Sequence, residues 1–247
     1  MKKLYEITYI ELKLYLRTFV NVFFALVFPS LLLLIMGGIY GNEPSEMFDG
    51  YGTVDVSVPS YTALIIAVNG IMSLPLAVVG YREKKILKRL KATPIHPVYI
   101  LLSQILINLF MTFVGMVILF VVGKLVFDLH FMGNAFDMFV AFLLSTLSIF
   151  SIGLLIASFA PTMKFATAVA NIVYFPMLFL TGATLPLEIM PNVMLNISKA
   201  LPLTYAVDLL KGIWLGKGFS DVAKDIWVLV GILLVSTLIS IKNFKWE

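Results

Sequence analysis

Apolar residues run along this chain in long blocks separated by short polar breaks. A helix needs about 20 mostly apolar residues to cross the hydrocarbon core of a bilayer. Six stretches qualify: residues 19–40, 61–81, 98–127, 136–160, 165–186 and 225–241. The third is long enough to tilt or to extend past the bilayer. Pro29, Pro75 and Pro176 fall inside spans one, two and five. Membrane helices tolerate such prolines because neighbouring groups satisfy the carbonyls they free, so packing kinks are expected there.

The first 18 residues follow a different pattern. At about 100° per residue, Lys2, Lys3, Glu6, Lys13 and Arg17 fall on one arc, and Leu4, Ile7, Thr8, Leu12, Leu14 and Tyr15 on the other. That arrangement predicts an interfacial amphipathic helix lying along the membrane surface. Glu11 projects into the apolar arc, where an isolated carboxylate is costly, so it is expected to pair with a cation or to reach water. The run at 19–40 exceeds a signal-peptide core and lacks a small-x-small exit, which predicts a span that stays attached.

Composition agrees with membrane residence. Hydrophobic residues make up 60% of the 247 and charged residues 13%, against about 45–50% and 25% in a soluble domain. The mean hydropathy is +1.00. Cysteine is absent, which removes disulfides and thiolate metal sites.

The placement of cations predicts the topology. Lys2, Lys3, Lys13 and Arg17 precede the first span, and Lys242 and Lys245 follow the last. The loop after span two carries Arg82, Lys84, Lys85, Lys88, Arg89 and Lys91. The loop at 41–60 has no Lys or Arg but holds Glu43, Glu46, Asp49 and Asp55, and the loop near 128–135 has no Lys or Arg either. Both termini and the second and fourth loops are therefore expected in the cytoplasm, with the protein in the plasma membrane. The segment 187–224 is expected outside despite its four lysines; Pro191, Pro202, Asp208 and Lys211 interrupt its apolar runs, so two short helices dipping into the outer leaflet are expected rather than a seventh span.

Spans one, two and five, as bounded above, contain no Asp, Glu, Lys, Arg or His. Lys124, Asp137 and Asp225 stand only at outer edges, and Lys124 is expected to pair with Asp128 or Asp137 structurally. Proton- or sodium-driven transporters usually place ionisable or carbonyl-lined sites near the midplane. An intramembrane hydrolase needs a nucleophile with a base or metal, and His96 and His130 fall in opposite loops. The phosphate-binding pattern G-x-x-x-x-G-K-[ST] does not occur, and Gly216-Lys217-Gly218 has the wrong spacing. Uphill transport by such a chain must draw its energy from another protein.

The segment 82–94 is strongly cationic, with Ile86, Leu87 and Leu90 on one helical face and Pro94 and Pro97 as terminators. Composition alone leaves two readings: an anchor on anionic lipid, or a short helix that docks in a groove on a soluble partner.

Residues 81–100 resemble the cytoplasmic loop of type-2 ATP-binding-cassette exporter permeases, which often reads E-R-E-x-G-T-L-x-R-L-x-A-T-P-x-x-P. The chain keeps Arg82-Glu83-Lys84, Leu87, Arg89-Leu90, Ala92-Thr93-Pro94 and Pro97; it departs at Lys85-Ile86, where the family often has Gly-Thr. A second match covers 175–210, with Phe175-Pro176-Met177-Leu178-Phe179-Leu180-Thr181-Gly182, Leu185-Pro186, Met190-Pro191 and Leu201-Pro202-Leu203-Thr204-Tyr205-Ala206-Val207, similar to the family's fifth span and outer re-entrant helices.

The resemblance implies an all-α integral membrane protein: a single permease domain over 1–247, a connecting helix at 1–18, a coupling loop at 82–97 and re-entrant helices within 187–224. It implies a dimer with a second permease copy or a paralogue, each bound to a separate cytoplasmic ATPase that carries ATP and Mg. No cofactor is expected on this chain, and no nucleic acid; membrane lipids complete the partners. Lys84, Lys85, Leu87, Lys88, Arg89, Lys91 and Thr93 would form the coupling helix against the ATPase. Glu6, Glu11, Lys13 and Arg17 would belong to the connecting helix. A pathway lined by spans one, two and five would present Asn21, Phe24, Phe28, Asn69, Met72, Asn171, Tyr174 and Phe175, a wall suited to amphiphilic or hydrophobic cargo such as a drug, antibiotic, lipid or peptide. A lipid-binding scaffold and an uncoupled channel are the competing functions.

Overall fold

The computed structural model describes residues 2–48, 50–86, 98–184 and 190–244. Helix α1 (Lys2–Arg17) ends where Thr18 turns extended, and the chain re-enters helix at α2 (Phe19–Tyr40). Then follow a two-stranded antiparallel ribbon, β1 (Pro44–Ser45) and β2 (Tyr51–Gly52), and the helices α3 (Thr53–Glu83), α4 (Val98–Phe127), α5 (Ala135–Phe159) and α6 (Met163–Leu180). Two short helices, α7 (Asn192–Ser198) and α8 (Pro202–Trp214), meet at 93° before the last long helix, α9 (Ala223–Asn243). Among the described residues, α2 to α6 and α9 are the six helices long and apolar enough to cross a membrane.

Prolines shape α2 and α3 in the same way. Proline lacks the amide donor, and its ring crowds the carbonyl four residues back. Each helix widens into a π turn just before its proline, at Phe23–Val27 ahead of Pro29 and at Val68–Ser73 ahead of Pro75. The α-helix then resumes with proline in its first turn, where no amide is needed.

The second span begins at Thr53 rather than at 61, which corrects the expected boundary. The Asn42 carboxamide oxygen accepts from the backbone N–H of Val54 (3.0 Å) and Asp55 (3.1 Å), so a residue from beyond the helix caps it. A side chain at Gly52 would collide with Asn42. Asp55, expected in a loop, is buried and accepts from Asn42 Nδ2 at 3.0 Å and from the His130 N–H at 2.8 Å. With the longer bounds, Asp55, Arg82 and Glu83 now lie at the two ends of this helix.

Helix α3 is the axis of the bundle. Of its most apolar stretch, 78% is buried, against 56% for α5 and less for the other spans. Helices α2, α4, α5 and α8 pack around it, and its π turn also meets α6. Its closest neighbour is α5: a Cβ at Gly153 would strike the carbonyl oxygen of Gly70, which sits in the π turn. Small residues permit this approach, as membrane helix packing favours. Helix α9 runs along α5, tied by Ser148 Oγ donating to the Leu229 carbonyl at 2.8 Å and Ser240 Oγ donating to the Leu154 carbonyl at 3.2 Å.

At the end of the bundle that carries the ribbon, α8 covers α3 and α5. Trp214 packs edge-on against Phe131, with centroids 4.8 Å apart, and the Trp214 carbonyl accepts from the Met132 N–H at 3.2 Å. Lys124 donates to Asp128 at 2.8 Å on the surface.

Candidate functional site

The opposite end of the bundle, called the basic end here, gathers α1, the last turn of α3, the start of α4 and the tight turn between α5 and α6. Helix α1 lies against α4. It turns Glu11 and Tyr15 inward; Leu4, Ile7, Thr8 and Leu12 are half-buried on the same side, while Glu6, Lys13 and Arg17 face outward. Tyr15 packs with Ile107 and Met111 of α4.

Two hydrogen-bonded networks fasten α1 to α3 and α4. Tyr15 Oη donates to Asn69 Oδ1 at 2.6 Å, and Asn69 Nδ2 donates to Thr112 Oγ1 at 2.9 Å. One turn back along α1, the carboxylate of Glu11 accepts from Tyr81 Oη at 2.5 and 2.6 Å and from Gln104 Nε2 at 2.7 Å. Glu11 is only 8% exposed. Among the described residues its hydrogen-bond partners are neutral where a cation was expected: a phenol and an amide hold the carboxylate. Burial raises Glu11 above its ordinary 4.5, against the lowering pull of the Tyr81 and Gln104 hydrogen bonds.

The α3 terminus is clamped to the α5–α6 turn. Arg82 donates to the carbonyl of Ala160, at the C-terminal end of α5. Glu83 accepts from the Met163 N–H at 2.7 Å, at the first residue of α6. Each charge sits at the helix end whose partial charge it complements. Thr162 caps α6 as well, accepting from the Phe165 N–H.

After Glu83 the chain leaves the helix. Lys84 and Lys85, expected in helix, form a turn, and the chain is helical again at Ile86. Lys85 has φ of 57°, the left-handed region where glycine is at ease. Leu87, Lys88, Arg89, Lys91 and Thr93, expected in the same helix, lie outside the described residues.

Between α1, α2, α3 and α6 opens a cavity of about 860 Å³. Asn21, Phe24 and Phe28 line it from α2, Met72, Ser73 and Leu76 from α3, and Tyr174, Phe175 and Leu178 from α6. Glu11, Tyr15, Tyr81, Gln104, Lys84 and Ile86 line its basic end. Such a volume and a mostly apolar wall with few polar groups match small-molecule sites, which run to about 300–1,000 Å³.

Residues 2–215 match the family described as ABC-2 type transporter. The chain belongs to that family. Nodulation protein J of Rhizobium leguminosarum bv. viciae is 32% identical over 90 residues, which are 36% of this chain and 35% of that protein. Nodulation protein J of Rhizobium meliloti is 28% identical over 97 residues, 39% of this chain and 37% of that protein. The probable multidrug ABC transporter permease YbhR of Escherichia coli is 26% identical over 176 residues, 71% of this chain and 48% of that protein. The chain thus spans between about a third and a half of the length of these relatives.

As a member of the ABC-2 type transporter family, the chain is a multi-pass membrane protein. Six of the eight residues expected on the pathway stand on the cavity wall: Asn21, Phe24, Phe28, Met72, Tyr174 and Phe175. The other two are placed elsewhere. Asn69 is fully buried, with its amide committed to Tyr15 and Thr112. Asn171 is half-buried on α6, away from the cavity. Sequence reasoning did not single out Tyr15, Tyr81 and Gln104 as site residues. The Arg82-Glu83 pair was visible in the loop motif, but its role at the α5–α6 turn was not.

Proposed function

We propose that this chain is the membrane subunit of an ATP-driven exporter that moves an amphiphilic or hydrophobic cargo out of the cytoplasm by alternating access. The observation that carries this reading is the joining of the cavity to the basic end. At the border of the basic loop, Tyr81, Lys84 and Ile86 wall the cavity, and Arg82 and Glu83 clamp the helices around it. Motion imposed on that loop is passed to α1 through Tyr81–Glu11 and to α5 and α6 through Arg82 and Glu83. A cytoplasmic ATPase seated on residues 82–97, with 1–18 as a second contact, is the source of that motion; ATP and Mg reside on the ATPase.

The positive-inside pattern supports a plasma-membrane orientation with both termini in the cytoplasm. Val20 and Phe24 of α2 and Phe175 of α6 line the cavity and are also exposed, which favours a second permease copy or a paralogue as the opposite wall. Helices α7 and α8 then form the outer cap. The multidrug name of one relative agrees with an apolar, aromatic wall. Cargo shifts the equilibrium between inward- and outward-open states only by its differential affinity for them.

The test is copurification with a candidate ATPase by a tag on one partner, together with cargo export. Charge reversal at Lys88 and Arg89 is expected to release the ATPase and stop export. Export that persists without the ATPase would support an uncoupled channel instead. Retention of anionic lipid with neither ATPase binding nor export would support a scaffold.

A further inference from the structure

Resting on the exporter reading, we infer that the cavity selects cationic amphiphiles, with Glu11 holding the positively charged head and the aromatic wall of α2 and α6 holding the apolar body.

The geometry of the cavity carries this inference. Glu11 is buried, yet it lines an open cavity. Among the described residues its hydrogen-bond partners are the phenol of Tyr81 and the amide of Gln104, neither of which carries a compensating charge. A lone carboxylate withdrawn from water is costly unless it is paired. The remaining charged side chain on the wall, Lys84, is exposed on the turn after α3 and forms no ion pair with Glu11 among the described residues. An incoming ammonium or phosphonium supplies the missing counter-charge at the place where the protein leaves it unmatched.

The rest of the cavity fits the rest of such a molecule. Helix α6 lines the cavity at Met163 and again at Tyr174, Phe175 and Leu178; Met163 and Leu178 are fifteen positions of helix, or about 22 Å, apart at the standard rise. Beyond the basic end, Phe24, Phe28, Tyr174 and Phe175 offer aromatic faces, which attract organic cations as well as apolar bodies. An anionic amphiphile of equal size meets the same apolar wall but places its charge beside Glu11.

The test compares two ions of matched size and opposite charge, tetraphenylphosphonium and tetraphenylborate, binding to the purified full chain in neutral detergent. The phosphonium is expected to bind about tenfold or more tightly, equivalent to about 1.4 kcal/mol. Glu11→Gln is expected to abolish that preference, and Glu11→Asp to retain it; thermal unfolding of each variant identifies the folded samples to be compared. Equal binding of the two ions by the natural chain, no phosphonium binding at all, or equal loss of both ions in Glu11→Gln would overturn the inference. The assay contains neither ATPase nor ATP. Its failure therefore leaves the exporter reading intact, while absence of ATP-dependent export for every amphiphile leaves a measured cation preference intact.

Discussion

The carboxylate of Glu83, at the last residue of α3, accepts a hydrogen bond from the backbone N–H of Met163, the first residue of α6. Its neighbour Arg82 reaches the last carbonyl before the same turn, on Ala160. Two adjacent residues of opposite charge thus join the central helix to both sides of the α5–α6 turn. The rest of the basic segment follows immediately, so any displacement of that segment would first meet the bundle here.

Replacing Glu83 with Ala removes a charged acceptor from a helix N-terminus, a loss of about 1 kcal/mol. The variant should melt slightly lower in detergent. It should still copurify with the ATPase but export cargo several-fold more slowly. Unchanged export at unchanged expression would show that the clamp transmits nothing.

Tyr81→Phe leaves the buried Glu11 with Gln104 as its single hydrogen-bonding partner among the described residues. An under-satisfied buried acceptor costs about 1–3 kcal/mol. Amide exchange in α1 should accelerate by at least about tenfold, while exchange in α9, remote from the contact, stays constant. Protection of α1 equal to that of the natural chain would show that this hydrogen bond does not hold the helix.

Docking of α1 should depend on pH through Glu11. Burial raises Glu11 above 4.5, so the docked helix holds this proton more tightly than the undocked one. Its contribution is fully present below pH 4.5 and is lost as pH rises through the raised value. Exchange in α1, corrected for the intrinsic pH dependence of amide exchange, should slow on acidification from neutrality. Glu11→Gln should remove that dependence; a slope that survives in Glu11→Gln would assign it to another group.

Lys85 occupies the left-handed region with φ of 57°, at the position where related loops often carry glycine. Lys85→Gly should relieve that conformation and stabilise the fold by up to about 1 kcal/mol, read as a higher melting point. Lys85→Ala, which keeps the Cβ, should not. An equal gain from both variants would attribute the effect to the lost charge.

Gly153→Ala places a methyl group on the Gly70 carbonyl and should separate α3 from α5, at about 1–3 kcal/mol or more. Gly231 on α9 faces open space, so Gly231→Ala is the control and should fold like the natural chain. Equal yields of the two variants in detergent would contradict the packing described.

The spans were legible because lipid imposes length and apolarity on every helix that crosses it. The start of α3 was not, because Asp55 and Pro59 look like loop residues until Asn42 and His130 are seen to satisfy the carboxylate. Glu11 stood out in the helical projection, yet its partners did not: Gln104 is 93 residues away, and no local pattern links them. Asn69 and Asn21 look alike as isolated amides in apolar helices. Packing alone separates them, burying the first between Tyr15 and Thr112 and leaving the second on the cavity wall. The Lys85 departure from the related loops became interpretable only with its φ angle.

On the exporter reading, a passive pathway is driven through the basic loop. Its most direct test is flux of a fluorescent amphiphile in proteoliposomes containing the full chain and its candidate ATPase, with and without ATP, for the natural sequence and for charge reversal at Lys88 and Arg89. Flux that requires ATP and is lost on charge reversal is the predicted result; flux that is indifferent to ATP, or to the reversal, would contradict it.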